Sequence, residues 1–97
     1  MATYVVLLNW TDQGIRTVKE TVARADAAAE TMEQLGGKLK QIYWTLGAHD
    51  IVTIIEAPDD ETATAIALAS SSQGNVRTTT LRAFDREEVN AIIGKLS

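Results

Sequence analysis

A single α+β domain, one sheet with helices packed on it, is the fold class that this 97-residue sequence predicts. Three observations carry it. Four short runs rich in β-branched, apolar and aromatic residues read as strands, and two longer stretches with apolar residues three or four apart read as helices. Polar or glycine-containing turns separate them, with no linker, repeat or low-complexity tract, so residues 1–97 make one domain.

Thr3 to Asn9 is apolar, β-branched and aromatic, the pattern of a strand buried on both faces. Thr11 is a good helix N-cap, and Trp10 and Ile15 flank it as a hydrophobic staple. Ile15, Val18, Val22, Ala25, Ala29, Met32 and Leu35 then form one stripe of a helix from about Asp12 to Leu35, stopped by Gly36 and Gly37. Such a helix would be roughly 36 Å long against about 23 Å for the first strand, so one end must overhang or bend.

Lys38 to Leu46 reads as a second strand, with Leu39 and Tyr43 on one face and Ile42 and Trp44 on the other. The short turn Gly47-Ala48-His49 joins it to Asp50 to Glu56 as a hairpin. Pro58 precedes a cap at Asp59 or Asp60, and Ala63, Ile66, Ala67 and Ser70 line a second helix that ends by Gly74. Asn75 to Ala83, rich in Thr and Val, is the fourth strand. Asp85 and Glu88 form a capping box, Phe84 and Val89 its staple, and Val89, Ile92, Ile93 and Leu96 the apolar face of a terminal helix.

The order is β-α-β-β-α-β plus a C-terminal helix, the split βαβ or ferredoxin-like arrangement, with the first and third strands central. Both central strands are apolar on both faces, whereas the two long helices cover only one face of the sheet. The other face is therefore expected to meet a second subunit, giving a homodimer or higher homo-oligomer. A chain this short buries only about 60–65% of its unfolded surface, which makes association a natural remedy.

Composition removes several function classes. There is no cysteine, hence no disulfide, thiolate metal site or cysteine nucleophile. The net charge is −4 and the nine basic residues are scattered, which argues against nucleic acid. No apolar run reaches membrane-spanning length and no targeting segment is evident, so the expectation is a cytoplasmic protein that does not engage a membrane. The acidic clusters Asp59-Asp60-Glu61 and Asp85 to Glu88 sit at helix starts, where carboxylates favour the positive end of the helix dipole.

No catalytic constellation, metal-ligand spacing or phosphate-binding glycine fingerprint is present, so no cofactor is expected and no catalytic residue is named. The candidate ligand-binding residues are Trp10, Tyr43, His49, Asp50, Arg77, Thr79 and Arg82. His49, the lone histidine, is a turn residue beside Asp50, and adjacent strand residues point to opposite faces. Asp50 either accepts hairpin backbone N–H groups or receives a ligand's ammonium. Arg77 and Arg82, five residues apart, fall on opposite faces, so only one reaches a given pocket. Tyr43 and Trp44 also face opposite ways, one beneath a helix and the other at the sheet surface. A pocket where the Gly47 to Asp50 turn, the Thr-rich fourth strand and a partner subunit meet suits a small carboxylate.

Several motifs in order, Tyr4 to Gly14, Gly36 to Gln41, Gly47-Ala48-His49-Asp50, Glu56 to Asp60 and Gly74 to Phe84, resemble the GYD domain proteins of bacteria over nearly the whole chain. His49 stands where that family's signature tyrosine falls. The resemblance implies a ferredoxin-like domain of the dimeric α/β-barrel type, and no established activity. A looser similarity is to the effector-binding domains of Lrp/AsnC-type regulators, which bind amino-acid-like effectors between subunits, although the DNA-binding helix-turn-helix is missing. Cofactor-free monooxygenases also pair ferredoxin-like domains. The leading reading is a homo-oligomeric small-ligand-binding or accessory protein with its pocket near the subunit interface, and the alternatives are a small enzyme of the cofactor-independent monooxygenase kind and a purely structural or assembly protein.

Overall fold

The computed structural model describes residues 1–96. Strands β1 (Ala2–Trp10), β2 (Lys38–Trp44), β3 (Ile51–Ala57) and β4 (Val76–Ala83) form one antiparallel sheet in the order β2-β3-β1-β4. The helices are α1 (Asp12–Arg16), α2 (Thr21–Gln34), α3 (Asp60–Ser72) and α4 (Arg86–Ile93). Short 3₁₀ turns cover Val18–Glu20 and Gly94–Leu96. This is the ferredoxin-like arrangement, with β1 and β3 central as their two-sided apolar character requires.

Strand alternation divides the sheet into two faces. Tyr4 and Val6 of β1 and Ile55 and Ala57 of β3 pack against Met32 of α2 and Ala63 and Ile66 of α3. Their alternating neighbours Val5, Leu7, Val52 and Ile54 lie on the opposite, open face and remain half-buried. Leu81 of β4 joins them there, 48% exposed.

The long first helix departs from expectation, because it breaks at Thr17 into α1, a 3₁₀ turn and α2. Thr17 has φ −110° and ψ 30°, outside the helical region. Arg24 holds this bend from α2: Nη1 donates to both the Thr17 carbonyl and its Oγ1 at 2.8 Å, and Nη2 donates to the Gly14 carbonyl at 3.2 Å. The break resolves the mismatch between helix and strand lengths. It also dephases the stripe, leaving Met32 buried but Val22 59% exposed and Ile15 only partly covered.

The chain ends α2 at a Schellman motif, with Gly37 N–H donating to Met32 O and Gly36 N–H to Glu33 O. Gly36 takes φ 95°, which glycine adopts without steric cost. In β2 a bulge between Leu39 and Gln41 changes the expected alternation. Leu39 pairs with Ile55 and Ile42 with Thr53, so both join Trp44 on the helix side, while Tyr43, opposite Val52, faces the open side. Thr11, Asp59 and Asp85 cap α1, α3 and α4, the last with its full capping box.

Candidate functional site

The turn before β3 is fastened to the end of β1. Asn9 Nδ2 donates to the Ala48 carbonyl at 2.8 Å, and its Oδ1 lies 2.9 Å from His49 Nδ1. Because the amide nitrogen is committed to Ala48, the oxygen faces the ring, and an amide oxygen can only accept, so Nδ1 is the donor of that contact. Asp50 Oδ2 accepts the Trp10 backbone N–H at 2.9 Å, and Asp50 N–H donates to the Leu8 carbonyl at 2.9 Å. The expected backbone role of Asp50 is thus real, but its donor comes from β1 rather than from the hairpin. The hairpin is closed separately by Thr45, whose N–H reaches Asp50 O and whose Oγ1 donates to His49 O.

Beside this turn, α1 is keyed into the start of β4. Thr11 Oγ1 donates to the Gly74 carbonyl, Thr11 N–H to Asn75 O, and Gln13 Nε2 to Gln73 O and Asn75 Oδ1. Gly14 sits so close that a Cβ there would collide with the Asn75 carbonyl. Gly74, at φ 85°, turns the chain into the strand.

The seven candidate residues do not form one pocket. Arg77 pairs with Asn9 and Thr79 with Leu7, so both lie on the open face, as Tyr43 does, with Arg77 nearest the His49 turn. Trp10 lies on the helix face, pairing with Val76, and lines the cleft beneath α2 and α3. Arg82 is also on the helix face but pairs with Tyr4, about 17 Å along the strand from Arg77.

Arg82 belongs to a cluster that the sequence did not single out. Tyr4 OH donates to Asp60 Oδ1 at 2.5 Å, and the Arg82 guanidinium lies over the Tyr4 and Phe84 rings, 5.6 and 4.5 Å from their centroids. Arg82 also pairs with Glu88 at 3.1 Å and donates to the Thr3 and Ala83 carbonyls. The hydrogen bond to Asp60, then burial and the Asp60 charge, push the Tyr4 phenol up to about 12, with Arg82 opposing. Hydrogen bonds from Asp85 and Arg82 hold Glu88 below its ordinary value, and those from Thr62 do the same for Asp59. Asp60 reads in sequence as a helix-start carboxylate, and only the fold brings it to Tyr4. Among the described residues, no three His, Cys, Asp or Glu side chains converge as a metal site.

Comparison with known proteins gives a consistent picture. The GYD domain model matches residues 4–93. The glutamine synthetase and cystathionine beta-lyase binding protein of Thermus thermophilus is 33% identical over 85 residues, spanning 87% of this chain and 90% of that protein. The crystal structure of TTHA0845, also from Thermus thermophilus, superposes with a TM-score of 0.57 at 25% identity, covering 88% of this chain and 95% of that one. MtbAldR shares the fold at a TM-score of 0.60 and 12% identity, over 88% of this chain but 52% of its own. With the turn before β3 and the start of β4 each fastened to the junction of β1 and α1, and nearly the whole chain matched, this chain belongs to the GYD domain family.

Proposed function

We propose that the chain is an accessory protein that works as a homo-oligomer, with the open face of its sheet as the surface between copies. The observation carrying this reading is that Val5, Leu7, Val52, Ile54 and Leu81 share a face that neither α2 nor α3 covers. A second copy suits it because Arg77 lies towards one end of that face and Glu56 at the other. An end-for-end two-fold pairing sets Arg77 of one copy against Glu56 of the other. The monomer core is also small, with Ile55 its one large side chain below 2% exposure among the described residues.

The accessory part of the reading is supported by the Thermus relative, which is named for binding two enzymes. Sedimentation velocity at micromolar concentration should show a dimer or larger species; a stable monomer would sink the assembly reading. Purified glutamine synthetase and cystathionine beta-lyase from the organism encoding this chain are the first partners to test by co-sedimentation.

A small carboxylate held at the same interface is a second reading, favoured by the position of Arg77. It makes no ion pair among the described residues and lies beside Asn9 and Thr79 on the face that meets the other copy. Arg77→Ala should then abolish any carboxylate-dependent shift in association.

A further inference from the structure

The space between the sheet and the two long helices is not closed by packing. Alanines on the facing helices, among them Ala25, Ala29, Ala63 and Ala67, leave a cleft of about 110 Å³ over the β1 residues Val6 and Leu8. Its character changes along its length. Towards the middle of the sheet the walls are mostly aliphatic, with Thr53 and Thr78 among them, whereas around Trp10 they include Thr21, Arg24, Gln73 and Asn75.

Two features at that end point to a ligand. The Trp10 indole Nε1 is buried and has no hydrogen-bond partner among the described residues, although an indole N–H can only donate and an unmet buried donor is costly. The other tryptophan is served: Trp44 Nε1 donates to Thr21 Oγ1 at 3.1 Å. Among the described residues, Arg24 is the sole charged one lining the cleft, with no carboxylate in its walls, in a chain whose net charge is −4. Its guanidinium is held in place by the Thr17 and Gly14 carbonyls, not by a neutralising buried acid, and Glu20 approaches only to 3.9 Å from the exposed side.

We propose that this cleft binds a short-chain monocarboxylate. One carboxylate oxygen accepts the Trp10 indole N–H, Arg24 balances the charge, and the aliphatic tail lies among the alanines of α2 and α3. Volume sets the tail length. An engineered apolar cavity of about 150 Å³ takes benzene, so a cleft of about 110 Å³ takes a branched or linear tail of only a few carbons. The site is on the opposite side of the sheet from Arg77 and does not depend on the assembly reading.

The test is a titration of ¹⁵N-labelled protein with sodium isobutyrate, following the two indole N–H resonances, which Trp44→Phe assigns. The Trp10 resonance should move and saturate while that of Trp44 does not, and isobutyramide, the neutral counterpart, should bind about tenfold more weakly. Trp10→Phe should lose the thermal stabilisation by isobutyrate while keeping the fold. Ala67→Leu, which fills the cleft, should lose it as well, and Arg77→Ala should keep it. The proposal is overturned if the wild-type Trp10 resonance stays still through the millimolar range, if sodium chloride moves it equally, or if folded Ala67→Leu responds like the wild type. The wild-type titration decides the matter even where a variant fails to fold.

Discussion

Asp50 and His49 are adjacent in the turn, yet they contribute differently because one serves the main chain and the other a side chain. The Asp50 carboxylate is the acceptor for the Trp10 N–H, and removing it leaves a half-buried backbone donor at the end of a central strand. Asp50→Ala should therefore cost about 1.5–3 kcal/mol in urea unfolding, the range for a hydrogen bond to a charged group. His49→Ala removes one contact with Asn9 at a partly exposed site and should cost about 1 kcal/mol or less. The reverse order would show that the ring, rather than the carboxylate, organises the turn. Tyr4 makes a pH-dependent contribution. Its phenol titrates near 10 when unfolded and at about 12 when folded, so its stabilisation is complete below pH 10 and is lost as pH rises through 12. In Tyr4→Phe that alkaline decline should flatten, as comparison of urea midpoints at pH 9 and pH 11 will show. None of this is visible in periodicity: Asn9 follows an apolar run as ordinary strand punctuation, and Asp60 lies 56 residues from the hydroxyl it receives.

Element boundaries were legible where local chemistry decides them. Asp85 and Glu88 supply their own capping box, and Gly36 and Gly37 their own Schellman motif, so sequence spacing suffices for both. The break at Thr17 was not, since it is held by an arginine two helical turns further on and by a backbone contact across the fold. The bulge in β2 was hidden for a related reason. A strand's alternation can be read from its own residues, but which position is skipped depends on the register of β3. At Gly14 local and tertiary rules give opposite signs. Helix propensity alone makes Gly→Ala favourable by about 1 kcal/mol, whereas the Asn75 carbonyl occupies the place the methyl group would take. Gly14→Ala should be destabilising by more than about 2 kcal/mol, and a raised melting temperature would show that α1 can move away from β4 freely.

At the scale of the molecule, dimensions of 52 × 31 × 18 Å describe a thin body, with one side of the sheet not covered by α2 or α3. The expectation of an uncovered apolar face followed from counting helices against sheet faces, which needs only element order. The cleft beneath α2 and α3 did not follow, because it exists through the sizes of alanines brought together from two separate helices. On the assembly reading, Leu7→Asp should convert the oligomer to a monomer or prevent folding, whereas Leu68→Asp, on an exposed part of α3, should do neither. Sedimentation and circular dichroism together distinguish these outcomes.

The bulge in β2 has a bearing on how the sheet ends. One outer strand carries exposed Lys38 and Lys40 on either side of Leu39 and is kinked where Lys40 falls out of register, while the other, β4, is regular and rich in threonine. Charge and irregularity together discourage a further strand from adding at the first edge, whereas at the second Arg77 and Arg82 supply charge without a break in register. The two edges thus oppose strand addition to different degrees. At β2 a strand added from outside would meet both lysine charge and a skipped register position, whereas at β4 it would meet charge alone.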